Sequence, residues 1–131
     1  TLISVMLGRL QTRSLVKLPS YTKSRSKGAA RMGEDLFNTR CTTCHTIGQG
    51  DKLGPDLLGV VDKRDPAWLV RWLQEPDVML DEKDPLATAL FNKYNKLRMP
   101  NIKLNQSDAQ DLIEYMKVQT NRVSTRTKTE N

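Results

Sequence analysis

The chain has 131 residues, of which 37% are hydrophobic and 5% aromatic, so we expect one domain with a lean protein core. The net charge of +6 comes from the ends: residues 1–32 hold seven basic and no acidic residues, whereas residues 33–120 hold eleven basic and fourteen acidic ones. This distribution and the few aromatics argue against nucleic-acid binding. No apolar run is long enough to span a membrane. Two cysteines and one histidine are too few for a four-ligand zinc site made only of these residue types.

The two ends of the chain are predicted to lie outside the folded domain. Residues 1–27 are interpreted as a basic N-terminal extension or linker, because residues 19–28 are rich in Ser, Lys, Arg and Gly. Any association with a membrane is expected only through this region. Residues 120–131 are polar and lack periodicity, which predicts a flexible tail. The domain itself is placed at residues 28–119.

The middle of the chain has helical periodicity and no long alternation of period two, which predicts an all-α fold. A first helix is expected from about 29 to 40. Asp65 and Asp84 each precede a proline, the pattern of an N-cap followed by proline at the first helical position, so a helix is expected after each. A last helix is expected after Ser107, which has capping-box spacing with Gln110.

The pattern Cys-Thr-Thr-Cys-His at 41–45 contains every cysteine and histidine of the chain. It is the haem attachment signature of c-type cytochromes. Each thiol adds to one haem vinyl group, and the two intervening residues let Cys41 and Cys44 reach vinyls on neighbouring pyrroles. His45 then lies over the iron and is predicted to bind it. A covalent haem would also supply the apolar core that the composition lacks.

Three other structures could use the same residues. A thioredoxin-like redox pair requires a βαβ setting, and the sequence shows none. A disulfide that spans only two residues would be strained. A partial metal site would need carboxylate ligands in addition. We therefore favour covalent haem.

The second axial ligand is predicted to be a methionine, because the chain has no second histidine and methionine is a common partner in cytochromes c. Met99 stands in the segment Arg-Met-Pro-Asn, where Pro100 favours an extended backbone that lays the thioether across the haem face. Met79, in a segment expected to be a polar loop, is the second candidate. An open or water-bound iron is the third.

Four more residues are candidates for contact with the haem or its ligand. The carbonyl of Pro55 is expected to accept the other ring N–H of His45 and so fix the tautomer. Trp68 and Trp72 are four residues apart, so they share one helix face and are expected mainly to pack. Their indole N–H groups and the Arg71 guanidinium are candidate partners of a haem propionate.

With these residues in view, residues 28–119 resemble a class I, mitochondrial-type cytochrome c with one haem. The resemblance implies a cytochrome c fold, in which three to five helices wrap around one covalently bound haem c. It also implies that Tyr115 packs against Gly33 and Phe37 where the first and last helices cross. The Trp pair is more like bacterial relatives. The matching features are the pair Gly33 and Phe37, the attachment motif, the loop 54–57, Met99 and the segment 111–117.

The resemblance implies single-electron transfer by a His/Met-ligated iron, without an enzymatic reaction, through transient contacts of a monomer with redox partner proteins. The periplasm, or a membrane tether that faces it, is favoured over the mitochondrial intermembrane space. Bacterial domains of this kind are often fused to other modules, so a fused upstream module is also expected. Two alternatives stay open: a five-coordinate haem sensor or peroxidase-like domain, and a redox-regulatory haem module attached to a domain such as a copper chaperone.

Overall fold

The computed structural model describes residues 21–130, which form six α-helices and, within that range, no β-strand. The all-α class is confirmed, and two short helices raise the helix count above the expected three to five. Residues 1–20, which hold most of the predicted N-terminal extension, lie outside the described residues. The helices are α1 (Tyr21–Arg40), α2 (Val60–Lys63), α3 (Pro66–Gln74), α4 (Pro76–Asp81), α5 (Pro85–Lys93) and α6 (Gln106–Thr129).

The predicted starts of α3 and α5 are confirmed. The Asp65 carboxylate accepts a hydrogen bond from the Trp68 backbone N–H at 2.9 Å, and Asp84 accepts one from the Ala87 N–H at 2.9 Å. A proline occupies the first turn of both helices. A proline there sacrifices no helical hydrogen bond, because the first N–H groups of a helix have no partner inside it.

The start of α6 differs from the prediction. Asn105 is the N-cap, and its side-chain oxygen accepts a hydrogen bond from the Asp108 N–H at 2.8 Å. The Asp108 carboxylate accepts one from the Asn105 N–H at 3.1 Å, which completes a capping box. Ser107 lies inside the helix, and its spacing to Gln110 is not used as a cap. The observed box has the expected spacing of three residues but lies two residues earlier, so it satisfies the backbone N–H groups of Asn105 and Asp108.

Both ends of the described chain are more helical than their composition indicates. Helix α1 begins at Tyr21, within the segment 19–28 expected to be a linker, and α6 continues to Thr129 through the expected tail. The α6 extension has tertiary contacts: the Thr120 hydroxyl accepts a hydrogen bond from the Gly59 N–H at 3.1 Å. Such contacts stabilise a helix whose sequence alone does not favour it.

Helices α1 and α6 cross at Gly33. A Cβ on this glycine would lie 2.8 Å from the Tyr115 Cβ and still closer to the Asp111 carbonyl oxygen. The Phe37 and Tyr115 rings pack beside the crossing, with centroids 5.4 Å apart and planes tilted by 48°. The packing expected from the resemblance is therefore confirmed, and the missing side chain lets the two backbones approach.

Helix α4 replaces the polar loop expected around Met79. Pro76 begins the helix and is fully buried, and Met79 is 1% exposed. The sequence does not predict this helix, because six residues are too few to show helical periodicity. No helix within residues 21–130 combines the length and the apolar character needed to cross a bilayer.

Candidate haem site

The helices surround a cleft of about 390 Å³. Cys41, Cys44, His45 and Met99 all line it, and apolar side chains form most of its wall. Its size and apolar character are typical of a cofactor pocket. The sequence-predicted attachment residues and the predicted methionine thus meet in one place.

The attachment motif forms a turn that continues from α1. The N–H groups of Cys44 and His45 both donate to the Cys41 carbonyl, at 3.1 and 2.9 Å, and the Cys41 N–H donates to the Phe37 carbonyl at 2.9 Å. This turn brings two thiols and the imidazole to the same cleft. Burial raises the pKa of the Cys41 thiol to about 11, so before attachment this group is a neutral thiol at pH 7.

The competing interpretations of the motif find no support in the described chain. No disulfide joins Cys41 and Cys44. No βαβ unit occurs, because residues 21–130 contain no strand. In the same range, no three His, Cys, Asp or Glu side chains converge to hold a metal ion.

His45 is held in one orientation by the loop that follows it. Its Nδ1 lies 2.8 Å from the Pro55 carbonyl oxygen, as expected from the sequence. A carbonyl only accepts, so Nδ1 carries the proton and Nε2 keeps its lone pair for a metal. Burial lowers the pKa of His45 although the Pro55 bond opposes this, which favours the neutral ring needed for ligation.

Gly54 allows the same loop to lie against the imidazole. A Cβ at this position would stand 2.5 Å from Cε1 and 3.0 Å from Nδ1 of His45. The Gly54 N–H donates to the Cys44 carbonyl at 2.8 Å. The loop therefore contacts the ring and the attachment turn together, and no larger residue fits there without displacing the ring.

The Asp56 carboxylate organises the loop. It accepts hydrogen bonds from the backbone N–H groups of Gly48 and Gly50, both at 2.8 Å, and of Leu58 at 2.9 Å. Burial alone would raise the pKa of Asp56, but these three bonds outweigh it and hold the pKa below its ordinary value. The carboxylate thus fixes the backbone on both sides of Pro55.

A second acidic residue links this loop to α5. The Asp51 carboxylate accepts a hydrogen bond from the Asp56 N–H at 2.8 Å and another from the Tyr94 hydroxyl at 2.9 Å. Both bonds lower the pKa of Asp51. Sequence reasoning missed this contact, because Asp51 and Tyr94 are 43 residues apart and no local pattern connects them.

Three methionines differ in their position relative to the cleft. Met99 lines it on the segment between α5 and α6, half-buried. Met79 is buried in α4 and is not part of the lining. Met116 also lines the cleft, but it is 2% exposed in the core face of α6 beside Leu112, as expected for a packing residue. The second sequence candidate, Met79, is therefore not placed to reach the cleft.

A family model described as "Cytochrome c" matches residues 30–120. The chain belongs to the cytochrome c family. It is 31% identical to a cytochrome c of Guizotia abyssinica over 103 residues, which covers 71% of this chain and 92% of the relative.

Solved structures of the family have the same fold. The cytochrome c domain of the pp3183 protein from Pseudomonas putida is 49% identical with a TM-score of 0.65, covering 73% of this chain and 94% of that one. A cytochrome c from Rhodothermus marinus is 28% identical with a TM-score of 0.67, covering 73% and 80%. This chain is therefore a c-type cytochrome domain, with one covalently bound haem c and its iron, that acts as an electron carrier and not as an enzyme.

The haem cleft of this cytochrome includes Trp68 and Trp72, and the two side chains pack against each other as expected. The two rings stack with centroids 5.4 Å apart and planes 13° apart. The Trp68 indole N–H, a candidate donor to a propionate, donates to the Asp84 carboxylate at 3.1 Å. A contact of Trp72 with the haem stays a prediction.

Arg71 needs a correction. Its guanidinium donates to the carboxylates of Glu75 at 2.6 Å and Glu82 at 2.8 Å, and it is not part of the cleft lining. The interpretation of Arg71 as a propionate partner is not supported, because two nearby carboxylates compete for the same cation. Arg40 and Arg64 do line the cleft and were missed. Arg64 directly precedes the cap of α3, and that is the only local signal for its position.

Proposed function

We propose that this cytochrome carries single electrons with its haem iron bound by His45 and Met99. The supporting observation is that one cleft collects both attachment thiols, an imidazole whose Nδ1 is committed to Pro55, and the Met99 side chain. Bound haem supplies a couple between ferrous and ferric iron. His45 and Met99 would be the protein ligands of that iron, and a methionine ligand would raise its potential.

The proposal is tested by Met99→Ala, with Met32→Ala as the control because Met32 is 57% exposed on α1. We expect the oxidised wild type and the control to show the Met-to-iron charge-transfer absorption band. Met99→Ala should lose the band, bind carbon monoxide readily when reduced, and have a lower potential. A Met99→Ala spectrum identical to the wild type would identify another ligand. A high-spin wild type would favour the five-coordinate sensor or peroxidase-like domain.

We further propose that the cytochrome domain works in the periplasm and is one part of a larger protein. The 49% identical Pseudomonas putida structure is described as a domain of its protein, which supports a fused module.

Electron exchange with partners would use small, transient contacts of a monomeric domain. Fractionation of cells that express the full-length gene tests the compartment, and the mass of the haem-containing product tests the fusion.

A further inference from the structure

We infer that helix α4 holds the Met99 segment in place, and that Asp77 and Asn101 are positioning residues for the iron ligand. The inference rests on the proposed ligation by Met99. It concerns a different part of the molecule from the attachment turn and the His45 loop.

Residues on both sides of Met99 bind the same helix. The Asn101 side-chain N–H donates to the Asp77 carboxylate at 2.9 Å. Arg98 donates to the Asp81 carboxylate at 2.8 Å and to the Asp77 carbonyl at 3.3 Å. Asp77 and Asp81 are four residues apart, so they lie on one face of α4. Met99 is therefore bracketed by two attachments to this face.

The attachment through Asn101 is the more important of the two. Asn101 and Asp77 are half-buried, whereas the Arg98 and Asp81 side chains are 50% and 72% exposed, and exposed ion pairs contribute little. The Asn101 side-chain oxygen also accepts a hydrogen bond from the Lys103 N–H at 2.9 Å. One side chain thus fixes the turn that follows Pro100 and ties it to α4.

The Met99 segment needs support from outside. It has no helix of its own between α5 and α6, and Asn95, Lys96 and Lys103 have φ values of 58°, 57° and 60°. Residues other than glycine rarely adopt this left-handed backbone conformation without a compensating contact. The backbone before and after Met99 therefore depends on its neighbours for its shape.

Helix α4 is suited to give that support. Pro76 and Met79 are fully buried, so α4 cannot move away without exposing them. The Asp84 N–H donates to the Met79 carbonyl at 3.0 Å, which joins α4 to the start of α5. Helix α4, which contains Met79, is therefore the fixed element that positions the proposed ligand Met99.

The test uses Asp77→Ala and Asn101→Ala in the haem-containing protein. Asp77→Asn is the conservative variant, because its amide oxygen can still accept the hydrogen bond from Asn101. Asp62→Ala is the matched control: Asp62 is exposed on short helix α2, and its carboxylate makes no hydrogen bond within residues 21–130. The readouts are the Met-to-iron band, the rate of carbon monoxide binding to the reduced form, and urea unfolding.

We expect Asp77→Ala to bind carbon monoxide about fivefold faster than the wild type, the factor that corresponds to one lost hydrogen bond. Asn101→Ala should be at least as fast, because it also loses the hydrogen bond from the Lys103 N–H. The double alanine variant should be no faster than Asn101→Ala, because both lack the Asn101–Asp77 bond, and Asp77→Asn should restore the wild-type rate. Asp62→Ala should leave the rate and the band unchanged.

Two results would overturn the inference, and they can be distinguished. If the wild type shows the band and the alanine variants keep both the band and the wild-type rate, α4 does not position Met99 although Met99 is the ligand. If the wild type lacks the band, the proposed ligation itself fails and the inference fails with it. A loss of urea stability without any change in rate would also count against a positioning role.

Discussion

Gly33→Ala tests whether the close approach of α1 and α6 is a requirement of this fold. The added Cβ would lie 2.8 Å from the Tyr115 Cβ and closer still to the Asp111 carbonyl oxygen. A backbone oxygen cannot rotate away as a side chain can, so the two helices must separate. Phe37 and Tyr115, which are 5% and 6% exposed at this crossing, would then lose packing.

Two opposing effects set the size of the change. Alanine is a better helix former than glycine by about 1 kcal/mol. Overpacking typically costs about 1–3 kcal/mol, and the upper value applies here because the contact is with backbone. We therefore expect Gly33→Ala to lower the free energy of unfolding by about 2 kcal/mol, a factor of about 30 in the folding equilibrium.

Gly28→Ala is the matched control, because Gly28 is in the same helix and nothing lies within 4 Å of its added Cβ. It should gain up to about 1 kcal/mol from helix propensity alone. Urea unfolding of both variants, followed by circular dichroism, measures the difference as a change in midpoint at constant slope. If Gly33→Ala proves as stable as Gly28→Ala, the steric argument for the crossing is refuted.

Two further predictions concern the loop behind the haem ligand. Gly54→Ala should push the His45 ring from its position, cost about 1–3 kcal/mol and alter the haem absorption spectrum, whereas Gly28→Ala should leave the spectrum unchanged; an unaltered spectrum in both would contradict the contact. The lowered pKa of Asp56 contributes stability that is complete above the ordinary Asp pKa of about 3.9 and is lost as the pH falls through the lower folded value. Asp56→Asn should therefore flatten the fall in unfolding free energy on acidification in urea titrations, and an unchanged slope would show that the carboxylate is not responsible.

The features that could be predicted from the sequence are local ones. The haem attachment turn can be predicted from the sequence because the residues that it needs are five consecutive ones. The starts of α3 and α5 are readable because an Asp-Pro pair satisfies the first backbone N–H groups within one turn. The Pro55 contact spans ten residues, and it is predictable because a metal-binding histidine needs an acceptor for its second ring N–H.

The features that were missed depend on competition or on distant partners. Arg71 was a candidate partner of a haem propionate, but carboxylates bind its guanidinium, one of them from Glu82, eleven residues away. The α6 extension looks unstructured by composition, yet Thr120 binds Gly59, 61 residues earlier. Sequence periodicity reports which face of a helix is apolar, but it does not report which distant group will satisfy a polar one.

The difference between local motifs and contacts between distant residues also matters for function. The five-residue motif specifies only where haem is attached and one candidate iron ligand, so by itself it does not distinguish an electron carrier from a five-coordinate sensor. With Met99 as the proposed ligand, that outcome depends on how firmly its segment is held. The contact that we propose to hold it joins Asn101 to Asp77, 24 residues apart. Under this proposal, residues far from the attachment motif decide whether Met99 stays on the iron, and the variants at Asp77 and Asn101 are the direct test of that dependence.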